Sequence, residues 1–400
     1  MTTEDYPIDE NAPAQPFEPE IERQIENNDQ AGLMRSFTFL VDKSTQSDAA
    51  AAVVKDGIHA PSSKIPKHWH RRKLTSWLHK HLVPESLRSA IEKKYGNFII
   101  IRSTGELHYE EMPIYTRIGM HLIFGGYHRD KVASSEIMQS LFLKETLRQG
   151  QFFSEPESVE QIPSFINHYS IDMTNYVISD IQEYKNFNEF FSRAILPEKR
   201  PIAEPEDEGV IVSSADSRLN VFDSVDAATT FWIKGKEFTL AKLLQDEALA
   251  QELEGGSLAI FRLAPQDYHR FHVPARGTIE SMKNIEGAYY TVNPCTINTD
   301  LDVFTENHRN VATLKSPLGF NYAFVSIGAL LVGSIVMTNG QVGKELAKGE
   351  EMGYFQYGGS TCIAVFPKDA VTWDEDLRKN SENSLETLVT MGDRIGVFNV

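Results

Sequence analysis

Hydrophobic and polar positions change rhythm about halfway along the chain. Between about 85 and 200, apolar residues return every three to four positions. SLRSAIEKKYG (86–96), IYTRIGMHLIF (114–124), SSEIMQSLFLKETLRQG (134–150), SFINHYSIDM and FNEFFSRAI carry this pattern, which predicts helices. The first closes on a glycine stop signal, and the last runs into LPEKRPI, whose prolines end it. From about 205, short β-branched and aromatic runs alternate with Gly, Pro, Asn and Asp: GVIVSSADSRLNVF, GSLAIFRLAP, YHRFHVPARGTIESM, NVATLKS, YAFVSIGALLVGSIVM and TCIAVFP. This texture predicts strands joined by many hairpins, with one helical insertion, KEFTLAKLLQDEALAQEL (236–253). The longest apolar stretch, 323–337, contains Gly328, Gly333 and two serines. It is short for a membrane span and reads as buried strand with turns. The fold class expected is α+β, a mainly helical N-terminal half followed by a β-rich domain.

The first 60 residues lack either rhythm. They are acidic, contain prolines, and have neither an apolar signal core nor the arginine-rich, acid-poor character of a transit peptide, so they read as a disordered lead-in. A basic segment follows, KIPKHWHRRKLTSWLHKHL (64–82), in which Trp69, Leu74, Trp77 and Leu78 recur at roughly helical spacing. Two readings stand. It is an interfacial helix lying on anionic lipid, or a helix that packs its tryptophans on the protein body. The domain layout expected is a tail over 1–60, a helical region over 61–200 and a β-rich domain over 201–400.

Composition narrows the function classes. Of 400 residues, 41% are hydrophobic and 24% charged, which excludes collagen-like, coiled-coil and wholly disordered chains. Thirty-nine basic against 56 acidic residues give a formal charge of −17, the wrong sign for bulk nucleic-acid binding. The two cysteines, Cys295 and Cys362, form no CxxC motif and no disulfide framework. That pattern fits a reducing compartment, and the expected location is cytoplasmic or peripheral to a membrane.

Three segments offer chemistry. In Tyr357-Gly358-Gly359-Ser360-Thr361, two glycines precede a serine between an aromatic stretch and an apolar strand. Glycine's dihedral freedom allows the Ser360 hydroxyl to approach the Gly359 carbonyl; the plain alternative is a turn. In Asp267-Tyr268-His269-Arg270-Phe271-His272, two histidines flank an arginine. They read as structural histidines, as an acid–base pair, or as two metal ligands lacking an obvious third. In Ser213-Ser214-Ala215-Asp216, a carboxylate stands at a strand end, where it caps a turn or orients a histidine. GxSxG, Walker, GxGxxG and HExxH motifs are absent.

Taken together, these segments resemble the phosphatidylserine decarboxylase family of pyruvoyl enzymes. FNEFFSRAILPEKRPI, VSSADSRLNVF, FWIKGKEFTLAKLL, IFRLAPQDYHRFHVPARGTIE, YTVNP, VSIGALLVGSI and EMGYFQYGGSTCIAVFP run in family order from about 186 to 368. DYHRFHVP with a downstream GGST is the specific part. GGST stands where many members have LGST, and Ser217 where many have glycine; neither change removes a chemical group.

The resemblance implies a proenzyme that cuts itself between Gly359 and Ser360. His272, oriented by Asp216, would take the Ser360 proton, Oγ would attack the Gly359 carbonyl, and β-elimination followed by loss of ammonia would leave a pyruvoyl group at 360. That group is the implied covalent cofactor, an electron sink for decarboxylation. His269 is the implied proton donor to the substrate. No metal is implied. The implied substrate is phosphatidylserine, reached by peripheral docking on an anionic membrane through 64–82, with self-association left open. The alternatives are a soluble decarboxylase of a free aromatic amino acid and an uncut, non-catalytic binding relative.

Overall fold

A computed structural model describes residues 63–65, 96–111 and 136–399, apart from 232, 234–237, 291, 293–301, 330–333 and 358–359. The lead-in over 1–60 and the predicted helices over 86–95 and 114–124 lie outside the described residues, as does 66–82 of the basic segment.

In chain order, a short strand β1 (Ser63–Ile65) precedes the hairpin β2 (Gly96–Ile101) and β3 (Glu106–Glu111). Helices α1 (Glu136–Ser154), α2 (Ile162–Tyr169) and α3 (Phe187–Phe191) follow. The β-rich part opens with β4 (Val210–Val212) and β5 (Ser217–Phe222), then α4 (Val225–Phe231), α5 (Leu240–Leu244) and α6 (Glu247–Glu252). Next come β6 (Ser257–Leu263), β7 (Arg270–His272), β8 (Gly277–Ile285), α7 (Val303–Glu306), β9 (Arg309–Lys315) and β10 (Asn321–Gly328). The chain ends with β11 (Ile335–Met337), β12 (Glu345–Leu346), β13 (Glu351–Phe355), β14 (Ser360–Phe366), β15 (Val371–Trp373), α8 (Glu375–Glu382), β16 (Glu386–Val389) and β17 (Arg394–Phe398).

Eleven strands make one sheet in the order β1-β3-β2-β16-β5-β6-β14-β10-β9-β8-β12. Neighbours run antiparallel except β16 beside β2. Two three-stranded sheets, β11-β13-β7 and β15-β17-β4, complete the strand set. The large sheet is covered on both faces. Along β14, Ile363 and Val365 enter one hydrophobic cluster, and Cys362, Ala364 and Phe366 enter the other. β6 divides the same way, Leu258 and Ile260 against Ala259, Phe261 and Leu263. Burial on both sides is why these strands appear in the sequence as unbroken apolar runs rather than as alternation.

The α+β assignment holds. Within the N-terminal half, however, 96–111 is a hairpin where the rhythm predicts only helices. Phe98-Ile99-Ile100-Ile101 is too short to show a helical period, and its β-branched residues favour the strand that pairs with β16. The insertion over 236–253 is likewise two helices, α5 and α6. Gln245 turns left-handed (φ 47°) after α5, and Asp246 then caps α6 by accepting from the Leu249 N–H at 3.1 Å.

Candidate active site

Ser360 is the first residue of β14, opposite Leu263 of β6 and Gly328 of β10. It is wholly buried, and its Oγ has no hydrogen-bond partner among the described residues. A buried hydroxyl with no partner costs about 1–3 kcal/mol, and the neighbouring Thr361 Oγ1 likewise has none among the described residues. The approach to it is anchored. Tyr357 donates its backbone N–H to Asn188 Oδ1 at 3.0 Å, and its ring lies 4.3, 5.4 and 5.2 Å from those of Phe153, Phe187 and Phe191. Gly358 and Gly359 lie outside the described residues.

The two histidines are held by different means. His269 is fully buried, and its Nδ1–H donates to the Asp267 carbonyl at 2.8 Å. Its ring packs against Phe191, centroids 4.0 Å apart and planes tilted by 39°, the same ring that Tyr357 touches. Phe191 therefore joins His269 to the run leading into Ser360. His272, at the end of β7, donates Nδ1–H to the Gly349 carbonyl at 2.9 Å and accepts the Tyr268 hydroxyl on Nε2 at 3.1 Å. That tautomer leaves the basic lone pair on Nε2. Burial pushes the imidazole pKa below the ordinary histidine range, against the pull of Gly349, Glu351 and Asp216. Burial likewise pushes the Tyr268 phenol up, keeping it a proton donor.

Gly349 is required at its position. Its φ is +76°, and a Cβ there would run into the Ile202 side chain. The neighbouring Lys348 fixes the turn by donating Nζ to the carbonyls of Glu204 and Asp207, both at 2.6 Å.

Asp216 sits buried in the turn between β4 and β5. Arg200 grips it in a fork, Nε to Oδ1 at 2.8 Å and Nη2 to Oδ2 at 2.5 Å, and the Met391 N–H adds a third bond at 2.8 Å. The expected pairing of Asp216 with His272 takes a different form here. Both ring nitrogens of His272 are occupied by Gly349 and Tyr268, so Asp216 acts on the ring through its field, which favours the charged form. The backbone still links the two motifs, because the His272 N–H donates to the Ser214 carbonyl at 2.8 Å. Among the described residues, no cluster of three or more His, Cys, Asp or Glu is placed to hold a metal ion.

A third layer lies behind the histidine turn, and the sequence reading did not anticipate it. Arg218 of β5 and Arg262 of β6 face each other directly across the sheet, both buried. Glu110 of β3, Asp267 and Glu386 of β16 neutralise them. No local motif signals this cluster, because its partners lie 49 to 152 residues apart along the chain.

Comparison with known proteins now bears on the site. Residues 187–397 match the family model of phosphatidylserine decarboxylase. Phosphatidylserine decarboxylase proenzyme 3 of Schizosaccharomyces pombe is 43% identical over 295 residues, covering 74% of this chain and 30% of that protein. A phosphatidylserine decarboxylase proenzyme of Fusobacterium nucleatum is 41% identical over 266 residues, covering 66% of this chain and 87% of that protein. Phosphatidylserine decarboxylase proenzyme 2 of Oryza sativa is 47% identical over 252 residues, covering 62% and 40%. The chain thus belongs to the phosphatidylserine decarboxylase family. It spans only 30% and 40% of the lengths of the yeast and rice relatives.

Proposed function

We propose that this chain is a proenzyme that cuts itself between Gly359 and Ser360 and then decarboxylates phosphatidylserine to phosphatidylethanolamine at an anionic membrane surface. The observation that carries the reading is the Ser360 hydroxyl, buried at the head of a central strand with no hydrogen-bond partner among the described residues. The family match and the relatives named as phosphatidylserine decarboxylase proenzymes support it.

In this reading Oγ attacks the Gly359 carbonyl, and His272 accepts the proton at Nε2, in place of the Tyr268 hydroxyl that donates there before the attack. The Gly349 carbonyl orients the ring, and the Asp216 charge stabilises the imidazolium that forms. Elimination transfers Oγ to the new C-terminus at 359, and hydrolysis of the remaining enamine releases ammonia. The products are a large chain over 1–359 and a small chain over 360–400.

The residues present fit a pyruvoyl group. An Oγ with no partner among the described residues breaks no hydrogen bond to them when it departs, and the methyl left behind suits a wholly buried position. Such a group supplies an electrophilic carbonyl that accepts the electron pair released as CO2 leaves an amino-acid headgroup. His269, its Nδ1–H held by the Asp267 carbonyl and its ring packed on Phe191, delivers the proton to the substrate α-carbon from Nε2, after first taking up a proton there as the imidazolium. Docking on the bilayer is assigned to the basic segment 64–82, where each Lys or Arg near anionic lipid contributes about 1 kcal/mol. Among the described residues, no helix is long and apolar enough to cross a membrane.

The test is the intact mass of the purified protein beside Ser360→Ala, followed by CO2 release from phosphatidylserine vesicles and from free tryptophan. Two chains split before residue 360, an uncut variant, and CO2 from the vesicles alone are expected. An uncut wild-type chain would overturn the processing, and CO2 from tryptophan alone would overturn the substrate.

A further inference from the structure

We propose that Glu110, brought in by the β2–β3 hairpin from outside the family-matched region 187–397, is a positioning residue that acts through Arg218 and Asp267 to hold His269 in its working tautomer. The inference deepens the decarboxylase reading and rests on it for the role of His269.

The argument begins with a charge problem. Arg218 and Arg262 occupy directly opposed positions on β5 and β6. Opposed like charges destabilise a strand pair, and a buried guanidinium without an anion is costly. Glu110 bridges the two. Both of its oxygens lie 3.0 Å from Arg218 Nε, Oε1 also accepts from Arg218 Nη2, and Oε2 accepts from Arg262 Nη2 at 3.2 Å. Burial alone would raise the Glu110 pKa, but the two arginines hold it below the ordinary carboxylate range.

The remaining end of Arg218 reaches the histidine turn. Its Nη1 donates to Asp267 Oδ2. The same oxygen accepts the Ala264 N–H at 2.7 Å, and the Asp267 N–H returns to the Ala264 carbonyl at 2.9 Å, closing the turn 264–267. The Asp267 carbonyl then accepts His269 Nδ1–H. Each link from Glu110 to His269 is thus a hydrogen bond or one residue of backbone. Arg262 has its own anion in Glu386, with bonds of 2.7 and 2.5 Å. Arg218 divides its donors between Glu110 and Asp267, so loss of Glu110 leaves its Nε and Nη2 unmatched and frees it to pull on Asp267.

The experiment has two arms, with Glu110→Gln and Glu110→Asp in each. In the Ser360→Ala background, histidine 15N shifts report the His269 tautomer with no activity required. The parent is expected to show the Nδ1–H form, and both variants a mixture of tautomers. In the processed enzyme, kcat for vesicle phosphatidylserine is expected to fall about tenfold or more in Glu110→Gln, with KM held within about twofold and Glu110→Asp intermediate. Glu110→Asp keeps the charge and carries both arms if the glutamine variant fails to fold. Parent-like His269 shifts together with wild-type kcat overturn the proposal. If wild-type protein releases no CO2, the decarboxylase reading fails on its own, and the shift arm still decides whether Glu110 controls His269.

Discussion

The Nδ1–H of His272 points at the carbonyl oxygen of Gly349, 2.9 Å away, across 77 residues of chain. A backbone carbonyl, rather than a carboxylate, therefore selects the tautomer of the proposed base. Gly349→Ala tests this. The added methyl meets Ile202 and forces the residue off φ +76°. We expect a loss of at least about 1 kcal/mol in stability and self-cleavage slowed by about tenfold or more. Denaturant midpoints and a time course of chain splitting measure the two effects separately.

The acid limb of self-cleavage should lie below the ordinary histidine range. Burial lowers the His272 pKa, so the ring remains a neutral base as pH falls through about 6.5. In stability, the unfolded chain binds this proton first. The contribution is complete above the unfolded pKa and is lost as pH falls towards the folded one. Glu351, Asp216 and Arg270 all act on this ring, and Glu351→Gln is expected to move the limb lower still. A splitting rate that falls with an ordinary or raised histidine pKa would contradict this.

Asp216 is held chiefly by Arg200. Removing that fork in Arg200→Ala takes the guanidinium counter-charge away from a buried carboxylate. A destabilisation of about 3 kcal/mol is expected, read by chemical denaturation in the Ser360→Ala background so that processing does not intervene. Arg200→Lys should recover part of it, because one ammonium cannot reproduce the two-pronged geometry.

Acid should also loosen the ion cluster. The Glu110 pKa is depressed in the folded chain, so its stabilising contribution is complete above the unfolded glutamate pKa of about 4.3 and is lost as pH falls through the lower folded value. Wild-type protein should lose more stability than Glu110→Gln over that window. Parallel curves would mean that the carboxylate is not ionised in the fold.

Cys362 gives a local probe of β14. Cys362 pairs with β6 and β10, its thiol is buried in the hydrophobic cluster on one face of the sheet, and burial raises its pKa well above normal. Iodoacetamide should leave Cys362 unmodified in native protein and alkylate it in denaturant, as followed by peptide mass. Modification under native conditions would show that β14 opens.

The candidate site is legible in the sequence wherever its proposed chemistry is local. GGST, DYHRFH and SSAD each put their residues in consecutive positions, and the structure sets Ser360 at a strand start, the histidines beside and at the end of a short strand, and Asp216 in a tight turn. What holds those residues was not legible. Gly349, Arg200 and Glu110 act across 77, 16 and 108 residues, and their partners follow from strand order. Periodicity reports which face of an element is apolar, but not which strand lies beside it. The hairpin over 96–111 was missed for the same reason, since pairing with β16 rather than any period in its six-residue strands defines it.

The place of β14 has a consequence for the cut molecule. The proposed small chain contributes β14 between β6 and β10, β16 between β2 and β5, and β17 between β15 and β4. β14 and β16 each lie between two strands of the other chain, and the β15–β17 pair adds to its β4, so the break would free two ends without freeing a subunit. A protein that folds once as a single molecule would then have to reassemble, if ever denatured, as a reaction of two. Its recovery would depend on dilution, and maturation would turn a first-order folding problem into a second-order one.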